Sequence, residues 1–382
     1  MERPPIQRAR LRGRLRLQLD KTRLLHDRGG GMKLHPRARG VSLVELLVSI
    51  SIGLVVVGAL VALYLSTARS YRQLEALAQL QSNARYVFEI MGYDIRMAGN
   101  MTCQLPSQAN PVNFVSSYTS NWWSNTDRPL FGQDESADSN AVGDANFPQT
   151  APGGYGPNAL RGDTLVVLRA NADDVTPGLV SSYNSGTTQP IVLGSGSFNA
   201  GSLLLLTDCQ TTASLFQMTG NTGGIQHSTA LASPSAGAQD MAGAKVLPLS
   251  ANAYYLRNSG RKYSNSSSLI PSLYRQALTT SGGAVATEAQ ELVSGVTDLQ
   301  MLYGVGTPNA DGILVITAYT EASNVTDWTR VLAVRVTVTL ESQDDNVIAE
   351  SRSFTLGNGT VITDRRLRRS YTMTFGLRKR LS

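Results

Sequence analysis

The alternation of apolar and polar positions begins with one unbroken stretch. Residues 46–68 form 23 consecutive positions without a charge, rich in Leu, Val, Ile, Ala and Gly. A helix of that length covers about 35 Å, against a hydrocarbon core of about 30 Å, so the stretch predicts one membrane crossing. A buried core helix, the alternative, rarely runs this far without a polar face. Beyond it the pattern becomes periodic. Leu74, Leu77, Leu80, Ala84, Val87, Met91, Ile95 and Ala98 recur every three or four residues, with Arg72, Glu75, Arg85, Glu89 and Asp94 between them. That spacing predicts an amphipathic continuation of the same helix, with Asp94 among its polar positions. Gly99 predicts the stop, because Gly readily takes the left-handed conformation of a helix end. Gly53 and Gly58 are places where the helix can bend.

Further along, the period shortens. Residues 105–160 are rich in Asn, Ser, Gly and Pro with no sustained period, which predicts loops over a surface. Residues 163–168 and 202–206 are short apolar runs bounded by turn residues, as core strands are. From Val331 to Leu340, Leu332, Val334, Val336, Val338 and Leu340 alternate with Arg335, Thr337 and Thr339, predicting a strand with one buried and one wet face. A last strand is expected through Tyr371, Met373, Phe375 and Leu377. The fold class that follows is α+β, a long N-terminal helix packed on an antiparallel β-sheet head.

Charge adds a compartment to this outline. The 382 residues carry a net charge of +6. Residues 1–40 hold 12 basic and 3 acidic groups, a net of +9, which leaves −3 for the remainder. Lys33, Arg37 and Arg39 precede the apolar run, so the positive-inside rule keeps that end cytoplasmic and turns the head outward. A cleavable secretory signal is the competing reading. Against it, the run exceeds the 7–15 residues of such signals and no Ala-x-Ala site closes it. The only two cysteines, Cys103 and Cys209, both lie in the outward part. In an oxidising compartment a disulfide between them would contribute about 4–5 kcal/mol in the chain-entropy model; two buried free thiols are the alternative.

Catalytic chemistry is sparse. After Gly40 the only histidine is His227, expected in a solvated loop. No metal site, no cofactor and no small-molecule substrate is expected. Asp134, Glu135, Asp138 and Asp144 do not have the spacing of a calcium loop and are expected to be solvated. Gly194, Ser195 and Gly196 are expected to form a turn, as are Arg161, Gly162 and Asp163 at the entry to a strand. The C-terminal basic cluster of Arg365, Arg366, Arg368, Arg369, Arg378, Lys379 and Arg380 is a patch for DNA phosphates or anionic lipid, or else a charge-protected edge strand.

One junction carries more information than composition does. A basic leader ends at Gly40, and the apolar helix begins Val41, Ser42, Leu43, Val44, Glu45. This resembles the signal of type IV prepilins and type II secretion pseudopilins, although Val41 stands where Phe is commoner. The resemblance implies that a membrane peptidase cuts after Gly40 and methylates the amine of Val41. It also implies that Glu45 meets the N-terminal amine of a neighbouring subunit. A carboxylate within an apolar span costs on the order of 3 kcal/mol, so it needs a cation or a route to the headgroups.

A second resemblance narrows the family. The run 85–100, RYVFEIMGYDIRMAGN, with Cys103 after it, looks like minor pilins of the PilW type. SLLLLTDC at 202–209, SLYR at 272–275, ELVSGV at 291–296, LQMLYG at 299–304, WTRV at 328–331 and DRRLRR at 364–369 continue the likeness. The domain expectation is a leader at 1–40, of which 1–31 lies upstream of an alternative start at Met32. A membrane and filament-core helix at 41–68, an amphipathic helix at 69–100 and a β-rich periplasmic head at 101–382 follow. The implied function is a non-enzymatic minor pilin-like subunit that primes type IV pilus assembly. Its implied partners are other minor pilins, the major pilin, the prepilin peptidase and methyltransferase, and the inner membrane. The pili of this family take up DNA, which keeps the C-terminal patch in view. A minor pseudopilin of a type II secretion system and an uncleaved periplasmic adhesin or binding protein are the alternatives.

Overall fold

The computed structural model describes residues 42–101, 111–116, 118–134, 162–171, 178–209, 213–232, 239–264, 267–357, 359 and 361–378. Two compact units divide the chain after Val61. In the first, the described residues are helical from Leu43 onward, as part of the helix α1, Leu43–Met97. Every one of them is exposed.

The second unit, Ala62–Ser382, contains the rest of α1 and the strands. The strands are β1 (Val112–Asn113), β2 (Leu130–Gln133), β3 (Thr164–Ala170), β4 (Gly178–Ser182), β5 (Val192–Ser195), β6 (Leu203–Thr207), β7 (Ala213–Gln217) and β8 (Lys245–Lys262). After them come β9 (Leu269–Ser281), β10 (Ala284–Ser294), β11 (Val296–Pro308), β12 (Leu314–Thr320), β13 (Val331–Glu341), β14 (Arg352–Thr355), β15 (Val361–Asp364) and β16 (Arg368–Gly376). The first ten make one sheet, β12-β11-β13-β16 a second, and β14-β15 a small third. All pairings are antiparallel except β1 with β7.

β8 organises the first sheet. Its opening residues pair with β6 and β4, Val246 opposite Leu206 and Gly178, while Ala253 lies between Val166 of β3 and Gln276 of β9. β3 shows why apolar runs bounded by turns become central strands. Leu165 and Val167 face a core shared with α1, whereas Val166 and Leu168 face a second core containing Trp122 and Phe131. Both faces are covered, so both must be apolar. The strand expected at 331–340 is β13, with Leu332, Val334, Val336, Val338 and Leu340 buried. Its other face is drier than expected, because Ala333 and Thr339 are buried too.

The helical stripe sits on the second sheet and the β3 face. Leu80, Ala84, Val87, Phe88, Met91 and Ile95 join Met301 and Tyr303 of β11, Val334 and Val336 of β13 and Phe375 of β16 in one core. Gly92 permits the closest approach. A Cβ there would lie 2.3 Å from the Phe375 ring. Gly99 ends the helix as expected, with φ at 71° and its N–H donating to the Leu168 carbonyl at 2.9 Å. That bond ties the helix end to β3.

Three expectations need correction. The stripe was expected to start at Leu74, but burial begins at Ala76, and Leu74 is 65% exposed. Residues 105–160 are not all surface loops, since β2 is buried at all four positions and Trp122 is buried as well. Pairing of Leu130 opposite Val167 covers the β3 edge and draws this short segment into the core. Gly194 and Ser195 belong to β5, and only Gly196, where φ is 85°, lies past its end.

Candidate functional site: the N-terminal helix and its anchorage

Two features of α1 bear on function, an exposed apolar segment and a buried polar clamp. The segment starts where the Leu46 N–H donates to the Ser42 carbonyl at 3.0 Å. Glu45 lies in the first turn, exposed, where the positive end of the helix dipole favours a carboxylate. Leu46, Leu47, Val48, Ile50, Ile52 and Leu54 are all more than half exposed. Three hydroxyls within the segment are satisfied internally. Ser49 donates to the Glu45 carbonyl at 2.6 Å, Ser51 to that of Leu47 at 2.8 Å and Thr67 to that of Leu63 at 2.9 Å. Such back-bonding pairs these three hydroxyls within the helix, as an apolar surrounding requires. The helix is long and apolar enough to cross a membrane once. Gly40 and Val41 lie outside the described residues.

The clamp was not anticipated. Asp94 is only 3% exposed. Its Oδ1 accepts from Arg169 Nε at 2.9 Å, and its Oδ2 accepts from Asn252 Nδ2 at 2.7 Å and Tyr254 Oη at 2.6 Å. The Arg169 guanidinium also lies 4.8 Å from the centre of the Tyr93 ring. One carboxylate on α1 thus holds three donors on β3 and β8. Burial first, and the Asp94 charge next, push the Tyr254 phenol well above its ordinary value, so it stays a donor. A carboxylate spaced onto the apolar face, three residues after Met91, was the signal available in the sequence.

Two members of the C-terminal basic cluster, Arg366 and Arg368, are turned inward. Arg368 is buried and paired with Glu341 and with Asp364, whose two oxygens lie 2.6 and 2.7 Å from its Nη1 and Nη2. Arg366 is buried beneath the Tyr263 ring at 3.5 Å and donates to the carbonyls of Ser342 and Gln343. Arg365 donates to the carbonyls of Ile348 and Ala349. Arg369 and Arg378 remain exposed. Lys379 and Arg380 lie outside the described residues.

Other singled-out residues have structural places. His227 is not solvated; it is buried between Tyr183 and Phe216, with ring nitrogens 2.7 Å from the Thr229 carbonyl oxygen and 3.0 Å from that of Gln189. Asp134 caps a turn by accepting from the N–H groups of Ala322 and Ser323, both at 2.7 Å. Glu135, Asp138, Asp144 and Arg161 lie outside the described residues. Asp163 is buried and accepts from the Met301 N–H at 2.6 Å, which removes it from any surface tripeptide. Cys209, just beyond β6, has φ at 61° and is disulfide-bonded; Cys103 lies outside the described residues.

An apolar, exposed N-terminal helix leading into a mostly antiparallel β domain is the build of a pilin-like α+β protein. Comparison with known families agrees. Residues 35–61 match the prokaryotic N-terminal methylation motif, and residues 253–379 match type IV pilus-assembly protein W, PilW. The first match contains Glu45; the second runs from the middle of β8 past the end of β16. Together they support a type IV pilus-assembly protein that carries an N-methylation motif. No curated protein matches the chain, and no solved structure does.

Proposed function

We propose that this chain is a minor pilin-like subunit that primes assembly of type IV pili. The supporting observation is the exposed apolar helix with a single carboxylate, Glu45, in its first turn, lying within the matched methylation motif. In this reading the chain inserts into the inner membrane with its N-terminus in the cytoplasm and its β head in the periplasm. The prepilin peptidase cuts after Gly40, and methylation follows on the new amine of Val41. Glu45 then pairs with the corresponding amine of a neighbouring subunit, which sets the axial stagger as helices pack side by side. The pairing offsets the cost of about 3 kcal/mol of carrying a carboxylate into an apolar span. The head selects minor and major pilins, and the Cys209 disulfide closes on Cys103, the chain's other cysteine. The role is assembly rather than catalysis.

The test is the N-terminal peptide of the native protein, read by mass spectrometry. A peptide beginning at N-methylated Val41 is expected. A mature chain that still begins at Met1 or Met32 would overturn the pilin-class reading.

A further inference from the structure

The second sheet runs β12-β11-β13-β16, and among the described residues neither outer strand has a second partner. β16 keeps one register with β13 from Arg368 to Gly376, without a bulge. In that register the Leu377 N–H donates to the Leu332 carbonyl at 2.9 Å, which fixes the alternation. Odd residues of β16 bond to β13, and the backbone groups of Ser370, Thr372 and Thr374 point away from it. At the other edge the Asn309 N–H donates to the Ile313 carbonyl at 2.8 Å, so the backbone groups of Leu314 and Ile316 point away from β11. Open edges are normally blunted by Pro, by charges along the strand or by a covering element. β12 has neither Pro nor charge, and β16 has no Pro and is charged only at its first two residues. Leu314, Val315, Ser370, Thr372 and Thr374 are all exposed.

The two edges carry opposite charges. Asp311 and Glu321 flank β12, and no Lys or Arg occurs from residue 276 to residue 329. Arg369 and Arg378 bracket the exposed stretch of β16. All four are exposed, and among the described residues none is in an ion pair. Arg335 of β13 does reach β12, but over the Tyr319 ring, 3.9 Å from its centre. The spacing of the charges also matches. Arg378 follows Arg369 by nine residues and Glu321 follows Asp311 by ten, and β12 spends the extra one in a bulge, where Thr317 and Ala318 stand opposite Val305.

We propose that β16 of one copy pairs with β12 of a second copy, antiparallel, so that the sheet continues from head to head. Charge selects this pairing. Arg369 comes beside Glu321 of the second copy, and Arg378 beside Asp311. Pairing β12 with another β12 sets acid against acid, and pairing β16 with another β16 sets arginine against arginine. Strand direction agrees. Each neighbour in the four-stranded sheet is antiparallel, so β12 and β16 of one head run in opposite directions. Two heads side by side in the same orientation therefore present antiparallel edges to each other. The contact is heterologous, which leaves one β16 and one β12 open at the two ends and lets further copies add. The shared orientation rests on the proposed assembly role; the open edges and their charges do not depend on it.

The full chain in detergent is followed by sedimentation velocity over about a hundredfold range of concentration. Wild type is expected to give a series of oligomers that grows with concentration. Leu314→Pro and Thr372→Pro each remove one outward N–H and spare the pairing to the strand's own neighbour. Each is expected to sediment as a monomer alone, and the equimolar mixture as a dimer and nothing larger, because each supplies the edge that the other lacks. A charge exchange keeps the test sound if a proline variant fails to fold. Asp311→Lys with Glu321→Lys is expected to stay monomeric, and adding Arg369→Glu with Arg378→Glu in the same chain is expected to restore the series. A wild type that is monomeric throughout, or that closes at a dimer, would overturn the pairing. So would oligomers that persist in the folded variants, which would assign association to α1 instead. The N-terminal peptide decides the proposed function separately, so a monomeric wild type that begins at methylated Val41 would sink the strand pairing alone.

Discussion

Asp94 is the residue on which the grip between helix and sheet depends most. It is the one carboxylate on the buried face of α1, and its partners come from β3 and β8, distant in sequence. A buried ion pair adds little over a well-packed apolar substitute, but breaking one from a single side leaves a charge without water or partner. Asp94→Ala would strand Arg169, itself buried, and is expected to cost about 3–5 kcal/mol. The check is the urea midpoint of the full chain in detergent, and a loss under about 1 kcal/mol would show that the clamp is dispensable. The sequence concealed this residue for a physical reason. Polarity alone places Asp94 outward, and only knowledge of Arg169, Asn252 and Tyr254 as neighbours turns it in. His227 shows the same limit, because a histidine between Gly, Ser and Thr reads as solvated until Tyr183 and Phe216 close around it.

At the scale of elements, legibility followed coverage. β3, β6, β13 and β16 could be read because their apolar residues are either continuous or alternate cleanly. The hairpins of β8, β9 and β10 could not, since β10 buries only Val293 and carries no apolar period. β2 is four residues long, too short to show any period. The arginine run at 365–369 looked like a surface patch, yet its two central arginines hold the segment between β15 and β16 in place. This arrangement has a pH signature. Burial pushes the Asp364 carboxyl up, but the Arg368 bonds, the Arg366 N–H and the nearby positive charges outweigh it and hold it below the ordinary carboxylate range. A carboxylate held low when folded stabilises the fold above its unfolded pKa and stops doing so as pH falls through its folded one. Asp364→Asn should therefore melt below wild type at neutral pH, and the gap should close in acid, below about pH 4. Melting both proteins from about pH 7 to about pH 2 measures it, and carboxylates common to both cancel in the difference. A gap independent of pH would mean that Asp364 acts by shape and not by charge.

For the whole molecule, the two-part plan was readable because its parts obey different solvents. An apolar run without charges is written for lipid, and a 3.6-residue stripe followed by alternating strands is written for a water-facing core. In the proposed function Glu45 joins the two plans to assembly. Removing it isolates its role, because the opposing effects are separable. Glu45→Ala deletes a carboxylate that costs on the order of 3 kcal/mol in the span, so insertion should be as good as wild type or better. If the carboxylate registers the helix against a neighbour's methylated amine, the same change removes the only charge in residues 41–68 able to do so. Pili should then be absent or sharply reduced at the cell surface, while membrane fractions hold as much of the variant as of wild type. Glu45→Gln keeps the volume and a hydrogen-bonding carbonyl but no charge, so it should fail in the same way. Normal piliation in either variant would separate Glu45 from assembly and return it to the plain role of a headgroup-seeking residue at the end of a membrane helix.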